Sequence, residues 1–393
     1  MKLAIGLLAI SAFAQDAATT LEQARDRVLA ASARLSKYVC VETIDRSYYS
    51  RKRPPAPCEE IALAHKRGQE HLQLDKTDRL RVAVAIQHGR EIYSWTGVAP
   101  YAHGVEDVLN GGPIGTGPFA AYLLQVFTDP SVRFRLLSEP SETVEYGFRV
   151  PLGGELNVVW GGGRWLPSGF SGSLVLDTHS LGVRRLTVDT DDLPVESGIC
   201  QETAELDFRE SYLPVESRAR LYMRDGEVSQ RVTTISDCHD APAAAPAPAP
   251  TGAPVPKGMR VLLRFDGDLD TDTAAAGDRI SATVALPVIA YGCVIDGGAK
   301  VTGRIVQMAH AGSHFLITVA FDTLEQNGTV SPFYARLISP PSLVMDYLEG
   351  HKLTGHGVQD WPYGGFAFKA SGGRHRYVVP AGFQSTWETV APR

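Results

Sequence analysis

The sequence predicts a mainly β protein: an N-terminal helix with a curved antiparallel sheet, then a small C-terminal β-barrel or sandwich. Glycine and proline, 38 and 25 of 393 residues, favour many turns over long helices. Many short runs alternate apolar and polar residues, as half-buried strands do. Turns such as Asp225-Gly226 separate several of these runs, which favours antiparallel hairpins.

The first 14 residues have the pattern of a secretory signal peptide. Lys2 precedes a short apolar run, residues 3–10, and Ala12-Phe13-Ala14 supplies a small-x-small cleavage pattern. The apolar run is too short to cross a bilayer, and its alternative interpretation is the first turn of a buried helix. We expect cleavage after Ala14, a periplasmic or secreted protein, and no transmembrane span in the mature chain.

Composition divides the rest of the chain into two domains. We predict a helix-plus-sheet domain over 15–239 and a β-barrel or sandwich domain over 257–393. Between them, residues 240–256 read D-A-P-A-A-A-P-A-P-A-P-T-G-A-P-V-P, a segment that cannot bury a core. Such alternating proline favours an extended, semi-rigid spacer.

The first domain opens with one helix and continues as strands. Thr20 is the predicted N-cap and Gln23 completes a capping box, after which apolar residues recur at helical spacing as far as Leu35. Pro118–Phe127 is predicted as a second helix. The predicted strands are Tyr38–Tyr49, Leu80–Ile86, Glu91–Trp95, Phe148–Val150, Leu156–Trp160, Leu174–Asp177, Val183–Thr190, Ala204–Phe208, Arg218–Arg224 and Val228–Ile235.

The second domain is predicted to be all β. Its turns are rich in glycine, aspartate and proline, which is typical of a compact barrel or sandwich. The predicted strands are Met259–Leu269, Ile280–Ala285, Lys300–Gln307, Phe315–Phe321, Thr329–Leu337, Gly365–Ala370 and His375–Val379.

If the protein is exported, four of its five cysteines are expected to form disulfides, because these bonds persist in oxidising compartments. We predict the pairs Cys40–Cys58 and Cys200–Cys238, each of which brackets polar, turn-rich sequence within one domain. Cys293 is left over, and its apolar neighbours favour a buried strand residue over a reactive thiol. No two cysteines are close enough to form half of a zinc site.

The densest group of charged residues is an aspartate run. Four aspartates alternate in F-D-G-D-L-D-T-D-T: Asp266, Asp268, Asp270 and Asp272. A helix–loop–helix calcium site starting at Asp266 requires glycine and glutamate where this chain has Thr271 and Gly277. Residues 259–269 instead alternate apolar and charged positions, so we place the aspartates on the solvent face of a strand. We predict no metal ion and no other cofactor.

A glycine-rich loop precedes the second predicted helix. Its glycines are Gly111, Gly112, Gly115 and Gly117. The loop could hold an anion at a helix N-terminus, but it lacks the Gly-Lys-Ser/Thr ending of a nucleotide-binding loop. We interpret it as a flexible turn and as the candidate gate if the sheet encloses a cavity.

Catalytic and nucleic-acid signatures do not emerge from the sequence. The segment 169–173, G-F-S-G-S, has Ser173 where a nucleophile elbow requires glycine. The histidines are scattered, and no His-Glu-x-x-His pattern occurs. The formal net charge of −6 gives no reason to expect nucleic acid as a partner.

Residues 20–240 resemble a family of exported bacterial proteins of unknown function. The resemblance rests on T-L-E-Q-A-R-D-R-V-L, Y-V-C-V-E-T-I-D-R-S-Y-Y, R-E-I-Y-S-W and G-P-I-G-T-G-P-F, and it implies no activity. The predicted helix and wrapped sheet are also similar to periplasmic carriers of outer-membrane lipoproteins. That resemblance implies a half-barrel that binds acyl chains.

Residues 255–337 resemble the β-domain of type IV secretion channel subunits. V-P-K-G-M-R-V, T-A-A-A-G-D-R-I-S-A-T-V and V-I-D-G-G-A-K-V-T-G-R-I carry this resemblance, which implies a small β-barrel and no catalytic residues. Such domains read Ile-Pro-x-Gly where this chain has Ile295-Asp296-Gly297-Gly298.

These observations favour a non-enzymatic binding or scaffolding role in the cell envelope. The first domain would hold a lipid or another apolar ligand or partner segment, and the second would dock to another envelope protein. The alternative is a hydrolase of envelope glycan or peptide, with a site that the fold assembles from separate loops. A third interpretation is a purely structural surface protein.

Overall fold

Strands make up most of the described structure, so the predicted mainly β class is confirmed. The computed structural model describes residues 19–31, 38–51, 57–69, 71–87, 90–97, 119, 121–140, 142–152, 158–161, 164–191, 193–209, 213–240, 250–312, 314–339, 365–369 and 376–391. In these ranges, no helix combines the length and the apolar character needed to cross a membrane.

The chain divides into two compact units. Unit 1 consists of Met1–Leu74, Ala83–Tyr93 and Pro113–Pro242. Unit 2 consists of Asp75–Val82, Ser94–Gly112 and Ala243–Arg393. Unit 2 thus includes two short stretches that precede the Ala/Pro segment by more than a hundred residues.

Unit 1 is built from helices and hairpin-connected strands. The helices are α1 (19–31), α2 (Cys58–Lys66) and α3 (Ala121–Thr128). The strands are β1 (Tyr38–Arg51), β2 (Leu72–Gln87), β3 (Arg90–Trp95), β4 (Arg133–Ser138), β5 (Thr143–Val150), β6 (Val158–Gly161), β7 (Arg164–Pro167), β8 (Gly169–Asp177), β9 (Val183–Asp191), β10 (Ile199–Phe208), β11 (Pro214–Met223) and β12 (Val228–Asp240). β2 and β3 contribute residues to both units.

The sheet of unit 1 is an antiparallel meander that runs in the order β4–β5–β8–β9–β10–β11–β12–β1. β6 and β7 form a separate hairpin. Short turns join most neighbours, as the hairpin signals in the sequence predicted. The pairing of β12 with β1 is different, because it joins the two ends of the unit's sequence.

One face of this sheet packs against α1 and α3, and we call it the inner face. Ala24 and Val28 of α1 share an apolar core with residues of α3 and of the strands β5 and β8–β11. The seven residues 121–127 of α3 are all buried. The predicted helix at Pro118–Phe127 therefore exists as Ala121–Thr128, and the first helix spans 19–31.

α2 was not predicted from the sequence. It begins after Pro57, carries Glu59 and Glu60 in its first turn, and buries Ile61 against Tyr222. Acidic residues near a helix N-terminus are stabilising. The helix is only nine residues long, so periodicity gave little signal for it.

Unit 2 is also antiparallel. Its strands are β13 (Arg260–Phe265), β14 (Leu269–Asp270), β15 (Arg279–Val284), β16 (Val288–Ala290), β17 (Cys293–Ile295), β18 (Lys300–Ala311), β19 (His314–Gln326), β20 (Thr329–Pro332), β21 (Ala335–Ser339), β22 (Gly365–Lys369), β23 (Val378–Val379) and β24 (Gln384–Thr389). The main order is β20–β19–β18–β15–β13–β24–β21. Among the described residues these pairings do not close into the predicted barrel.

The second core forms on one face of that sheet. Alternating residues of β13, Val261, Leu263 and Phe265, are buried there with Trp387 of β24. The alternation predicted for Met259–Leu269 is therefore correct as far as Phe265. The chain then turns, and Leu269–Asp270 pairs with Val378–Val379 as a separate short ladder.

The end of the Ala/Pro segment belongs to unit 2. Thr251 and Gly252 both donate backbone N–H groups to the carbonyl of Val330, at 2.9 Å each. Val255 donates to the carbonyl of Pro332 at 3.1 Å. Residues 251–255 therefore run beside β20, and residues 241–249 lie outside the described ranges.

Candidate functional site

The structure describes the predicted cysteine sites but not the predicted gate loop. The candidate gate glycines, Gly111, Gly112, Gly115 and Gly117, lie outside the described residues. Cys293 is a free thiol, half-buried in β17, where it packs beside the core of unit 2.

The four remaining cysteines form two disulfides, but the predicted pairing is wrong. The bonds are Cys40–Cys238 and Cys58–Cys200, not Cys40–Cys58 and Cys200–Cys238. Cys40 lies at an irregularity in the β1–β12 ladder and Cys200 at one in the β10–β11 ladder. The prediction joined cysteines near in sequence, whereas the pairing of β1 with β12 and the contact of α2 with β10 bring together residues 198 and 142 positions apart.

Each aspartate of residues 266–272 has a protein partner, and Asp270 and Asp272 share Arg376. Asp266 accepts a hydrogen bond from Thr283 at 2.7 Å, and Asp268 accepts one from the Ala381 N–H at 2.6 Å. Asp270 forms an ion pair with Arg376. In the part of the chain that the structure describes, no group of three or more histidine, cysteine or acidic residues could hold a metal ion.

A buried cluster of charged residues lies in unit 1, and sequence reasoning did not identify it. Its members are each between 2% and 7% exposed: Glu42, Arg46, Glu91, Glu202 and Arg231. We call this set the charge cluster. Ionised side chains are seldom buried this deeply unless they are paired, so the cluster is the strongest candidate site among the described residues.

Strand register brings the arginines of the cluster together. Arg46 lies opposite Arg231, Arg231 opposite Ala219, and Ala219 opposite Ala204. Residues opposite each other in antiparallel strands share a face. Because both alanines belong to the core that contains α1 and α3, both arginines lie on the inner face. The small alanines leave room for the Arg231 side chain to reach Glu202.

Arg231 and Glu202 form the central ion pair of the cluster. Arg231 Nη2 donates to Glu202 Oε1 at 2.7 Å, and the two side chains are 5% and 9% exposed. Thr190 holds the backbone of Glu202, donating to its carbonyl at 3.1 Å and accepting from its N–H at 2.8 Å. A pair this buried is satisfied only while both partners are present.

Glu91 joins the cluster to α3. Its Oε1 accepts hydrogen bonds from the backbone N–H groups of Phe119 and Ala121, at 3.0 and 3.2 Å. Its Oε2 accepts a bond from the Tyr93 hydroxyl at 2.7 Å. The first N–H groups of a helix have no intrahelical acceptors, so this carboxylate fixes the start of α3 on β3.

Burial changes the ionisation of several groups here. Burial, and then the neighbouring Glu91, raise the pKa of Glu42 well above its usual range, while Arg231 acts in the opposite direction. Burial is also the main cause that raises the pKa of Tyr93 and of Tyr122. The folded protein therefore favours the protonated carboxyl of Glu42 and the neutral phenols.

Five buried polar atoms of unit 1 lack hydrogen-bond partners among the described residues, and three of them lie on the most deeply buried side chains. These three are Glu42 Oε1, Gln125 Nε2 and Ser229 Oγ, in residues no more than 2% exposed; the other two are Gln201 Oε1 and Glu216 Oε1. Ser229 shares the inner face with Arg231 by strand alternation, and Gln125 lies on α3. An unpaired buried polar atom costs about 1–3 kcal/mol. The three most deeply buried atoms therefore offer one acceptor and two potential donors to a polar group that binds here.

The sequence did contain a signal for this cluster. In β1, E-T-I-D-R places Glu42 and Arg46 in phase with Ile44, which is buried. In β12, R-V-T-T-I places Arg231 in phase with the buried Ile235. Charged residues at the inward positions of a strand are the pattern that marks a buried polar site.

Comparisons with known proteins give little guidance to this site. No protein-family model and no curated protein matches the chain. Among solved structures, the chain is similar to a LolA superfamily protein, NE2245 from Nitrosomonas europaea. The identity is 8% and the TM-score 0.25, over 56% of this chain and 94% of that one. A likeness this weak assigns neither a family nor an activity. The resemblances of the sequence to the exported family and to secretion channel subunits are not confirmed.

Proposed function

We propose that this protein is exported and has a non-enzymatic binding role, with an amphipathic ligand held on the inner face of unit 1. The unpaired polar atoms of Glu42, Gln125 and Ser229 carry the proposal, because they lie buried beside a large apolar core. A native core rarely leaves such atoms without partners, and a bound polar group would supply them. The apolar part of the ligand would then lie against the aromatic and aliphatic side chains of the core.

α3 is the element that would shift to admit the ligand. It has eight residues, a length at which an isolated helix is unstable in water. Its position therefore depends on contacts with the sheet, such as Tyr122 with Phe170 and Phe127 with Phe134, whose ring centroids are 5.4 and 6.1 Å apart. An acyl or similar apolar chain offers these aromatic side chains equivalent contacts.

Two features support the exported location. The two disulfides suit an oxidising compartment, and the N-terminal 14 residues have the pattern of a cleaved signal. Docking of unit 2 to another envelope protein stays a prediction.

Native mass spectrometry tests the ligand directly. The full chain, expressed with its leader and purified from the periplasm of a bacterial host, should carry an added mass that organic extraction removes. The extracted molecule should be amphipathic. A protein that shows the bare mass before and after extraction, across several detergent-free preparations, would contradict the proposal.

Photolabelling tests the location. A diazirine-bearing fatty alcohol should label peptides that contain α3 and its aromatic neighbours Phe134, Phe148 and Phe170. The core of unit 2, with Phe265, Phe321 and Trp387 fully buried, serves as an internal control for non-specific labelling. Equal labelling of both cores would overturn the assignment to unit 1.

A further inference from the structure

The charge cluster contains more carboxyl groups than guanidinium groups. Glu42, Glu91 and Glu202 are all buried, against two buried arginines, Arg46 and Arg231. Glu202 is paired with Arg231, and Glu91 accepts three hydrogen bonds. Glu42 is therefore the one carboxyl of the cluster with a buried oxygen that has no hydrogen-bond partner among the described residues.

Glu42 is surrounded by groups that are already engaged. Two charged groups on neighbouring strands shift the pKa of Glu42: Glu91 on β3 raises it and Arg231 on β12 lowers it. The charge of Glu42 in turn raises the pKa of Tyr93 on β3. Arg46 lies on the same face of β1, two inward positions along from Glu42. None of these gives Glu42 Oε1 a hydrogen bond within the described ranges.

A buried carboxyl in this position has two ways to avoid an unpaired charge. It stays protonated when the site holds no cation, or it ionises when a cation with N–H donors lies beside it. A primary ammonium group suits the second state, because it brings one positive charge and three donors. Gln125 Nε2, which also has no partner in the described structure, is a donor and suits an acceptor elsewhere on the same ligand.

We propose that Glu42 anchors the ammonium group of an amphipathic amine whose apolar chain lies on the inner face of unit 1. This inference rests on the proposed function and names the head group that the site selects. On binding at a pH where Glu42 is protonated, the carboxyl loses its proton to solvent, and the carboxylate pairs with the ammonium already present on the ligand. One proton is released for each ligand bound.

Three probes of equal chain length separate the alternatives: decylammonium, decanol and decanoate, each below its critical micelle concentration. Binding to the purified full chain is measured by isothermal titration calorimetry at pH 5, 6 and 7, each in two buffers of different ionisation enthalpy. We expect decylammonium to bind about tenfold or more tightly than decanol, because a charge-assisted hydrogen bond replaces a neutral one. Proton release on decylammonium binding should increase as the pH is lowered, and it should be absent for decanol.

The variant Glu42→Gln should lose the preference for decylammonium and the proton release while it keeps its affinity for decanol. Retained decanol binding shows that this variant is folded. Glu205→Gln is the matched control, because Glu205 lies on β10 in the opposite phase to Glu202 and pairs with Arg185 on a partly exposed surface. It should behave as the wild type does.

The remaining outcomes are decisive. Equal affinity of wild type and Glu42→Gln for decylammonium would overturn the inference, as would tightest binding of decanoate, which would assign the head group to the arginines. Either result leaves the proposed function intact. Failure of all three probes to bind the wild type would overturn the proposed function, and this inference with it.

Discussion

Arg81 Nη1 donates to both carboxylate oxygens of Asp278, at 2.5 and 2.6 Å, although 197 positions separate the two residues in the chain. The backbone follows the same route: the Arg81 N–H donates to the Ala276 carbonyl at 2.7 Å, and the Ala276 N–H donates to the Arg79 carbonyl at 2.9 Å. Residues 274–278 form the turn that leads into β15. The turn also holds Asp75–Val82 within unit 2.

The Arg81–Asp278 pair should therefore control the local stability of this stretch. Arg81→Met is expected to cost about 1–2 kcal/mol, a value reduced because the two side chains are 30% and 22% exposed. Hydrogen exchange at the amides of Arg81 and Ala276 should rise accordingly. Arg336→Met is the control, because Arg336 is 59% exposed and its pair with Glu388 should contribute within about 0.5 kcal/mol. Unchanged exchange in Arg81→Met would contradict this role.

Gly277, in the same turn, should be harder to replace than a glycine such as Gly298 in another turn. Its φ is +108°, and an added Cβ would lie 2.0 Å from the Arg81 carbonyl oxygen. Gly298 has a φ of +91° but open space around the Cβ position, so it shares the backbone strain without the clash. We expect Gly298→Ala to cost about 1–2 kcal/mol and Gly277→Ala about 3 kcal/mol or more. Thermal unfolding of the two variants measures the difference, and equal losses would show that the turn can relax.

Local patterns explain what the sequence predicted correctly. Alternation along β13 depends only on consecutive residues, so the buried phase of Val261, Leu263 and Phe265 was visible without knowledge of neighbouring strands. β2 was predicted from Leu80 onward, because residues 75–79 before it are all polar and show no apolar alternation. The strand in fact begins at Leu72, where pairing rather than burial defines it.

Non-local pairing explains what was missed. The disulfide partner of Cys40 and the ion-pair partner of Glu202 depend on which strands become neighbours, and β1 pairs with β12 from the opposite end of the unit. Sequence spacing carries no information about such closure. The inward position of Glu42 and Arg46 could be predicted from the alternation along β1, whereas their proximity to Glu91 could not.

The disulfide pairing is directly measurable. Proteolysis under non-reducing conditions, followed by mass spectrometry, should recover peptides that link Cys40 to Cys238 and Cys58 to Cys200. Because each bond closes a loop of more than 100 residues, the chain-entropy model predicts about 4–5 kcal/mol for each. The double variant Cys40→Ser/Cys238→Ser should therefore lose stability without reshuffling the second bond. A linked Cys40–Cys58 peptide in the wild type would contradict the structure.

The Arg231–Glu202 pair should respond asymmetrically to substitution. Arg231→Met leaves Glu202 buried without its cation and should cost about 3–5 kcal/mol, measured by guanidinium unfolding. Replacing both residues with leucine removes the uncompensated charge, so the double variant should recover much of that loss. A double variant as unstable as the sum of the two single variants would show that the residues act independently.

Asp177 should contribute stability with a defined pH dependence. At the end of β8 its carboxylate accepts bonds from the Ser180 N–H at 2.7 Å, the Arg184 guanidinium at 2.6 Å and the His179 N–H at 3.0 Å. Chiefly the backbone bond from Ser180, and then the bond from Arg184, hold the pKa of Asp177 well below its ordinary 3.8.

Because the folded protein lowers this pKa, the stabilisation is present above the unfolded value near 3.8 and is lost as the pH falls through the folded value. Asp177→Asn should therefore cost about 1–3 kcal/mol at pH 7, and the difference from the wild type should shrink below about pH 4. Asp225→Asn is the control, since Asp225 is an exposed turn residue with one backbone bond, from the Glu227 N–H at 3.0 Å, and should cost less. Urea unfolding across pH 3 to 7 measures both variants. A constant difference between Asp177→Asn and the wild type over that range would mean that the side chain acts through shape rather than through its charge.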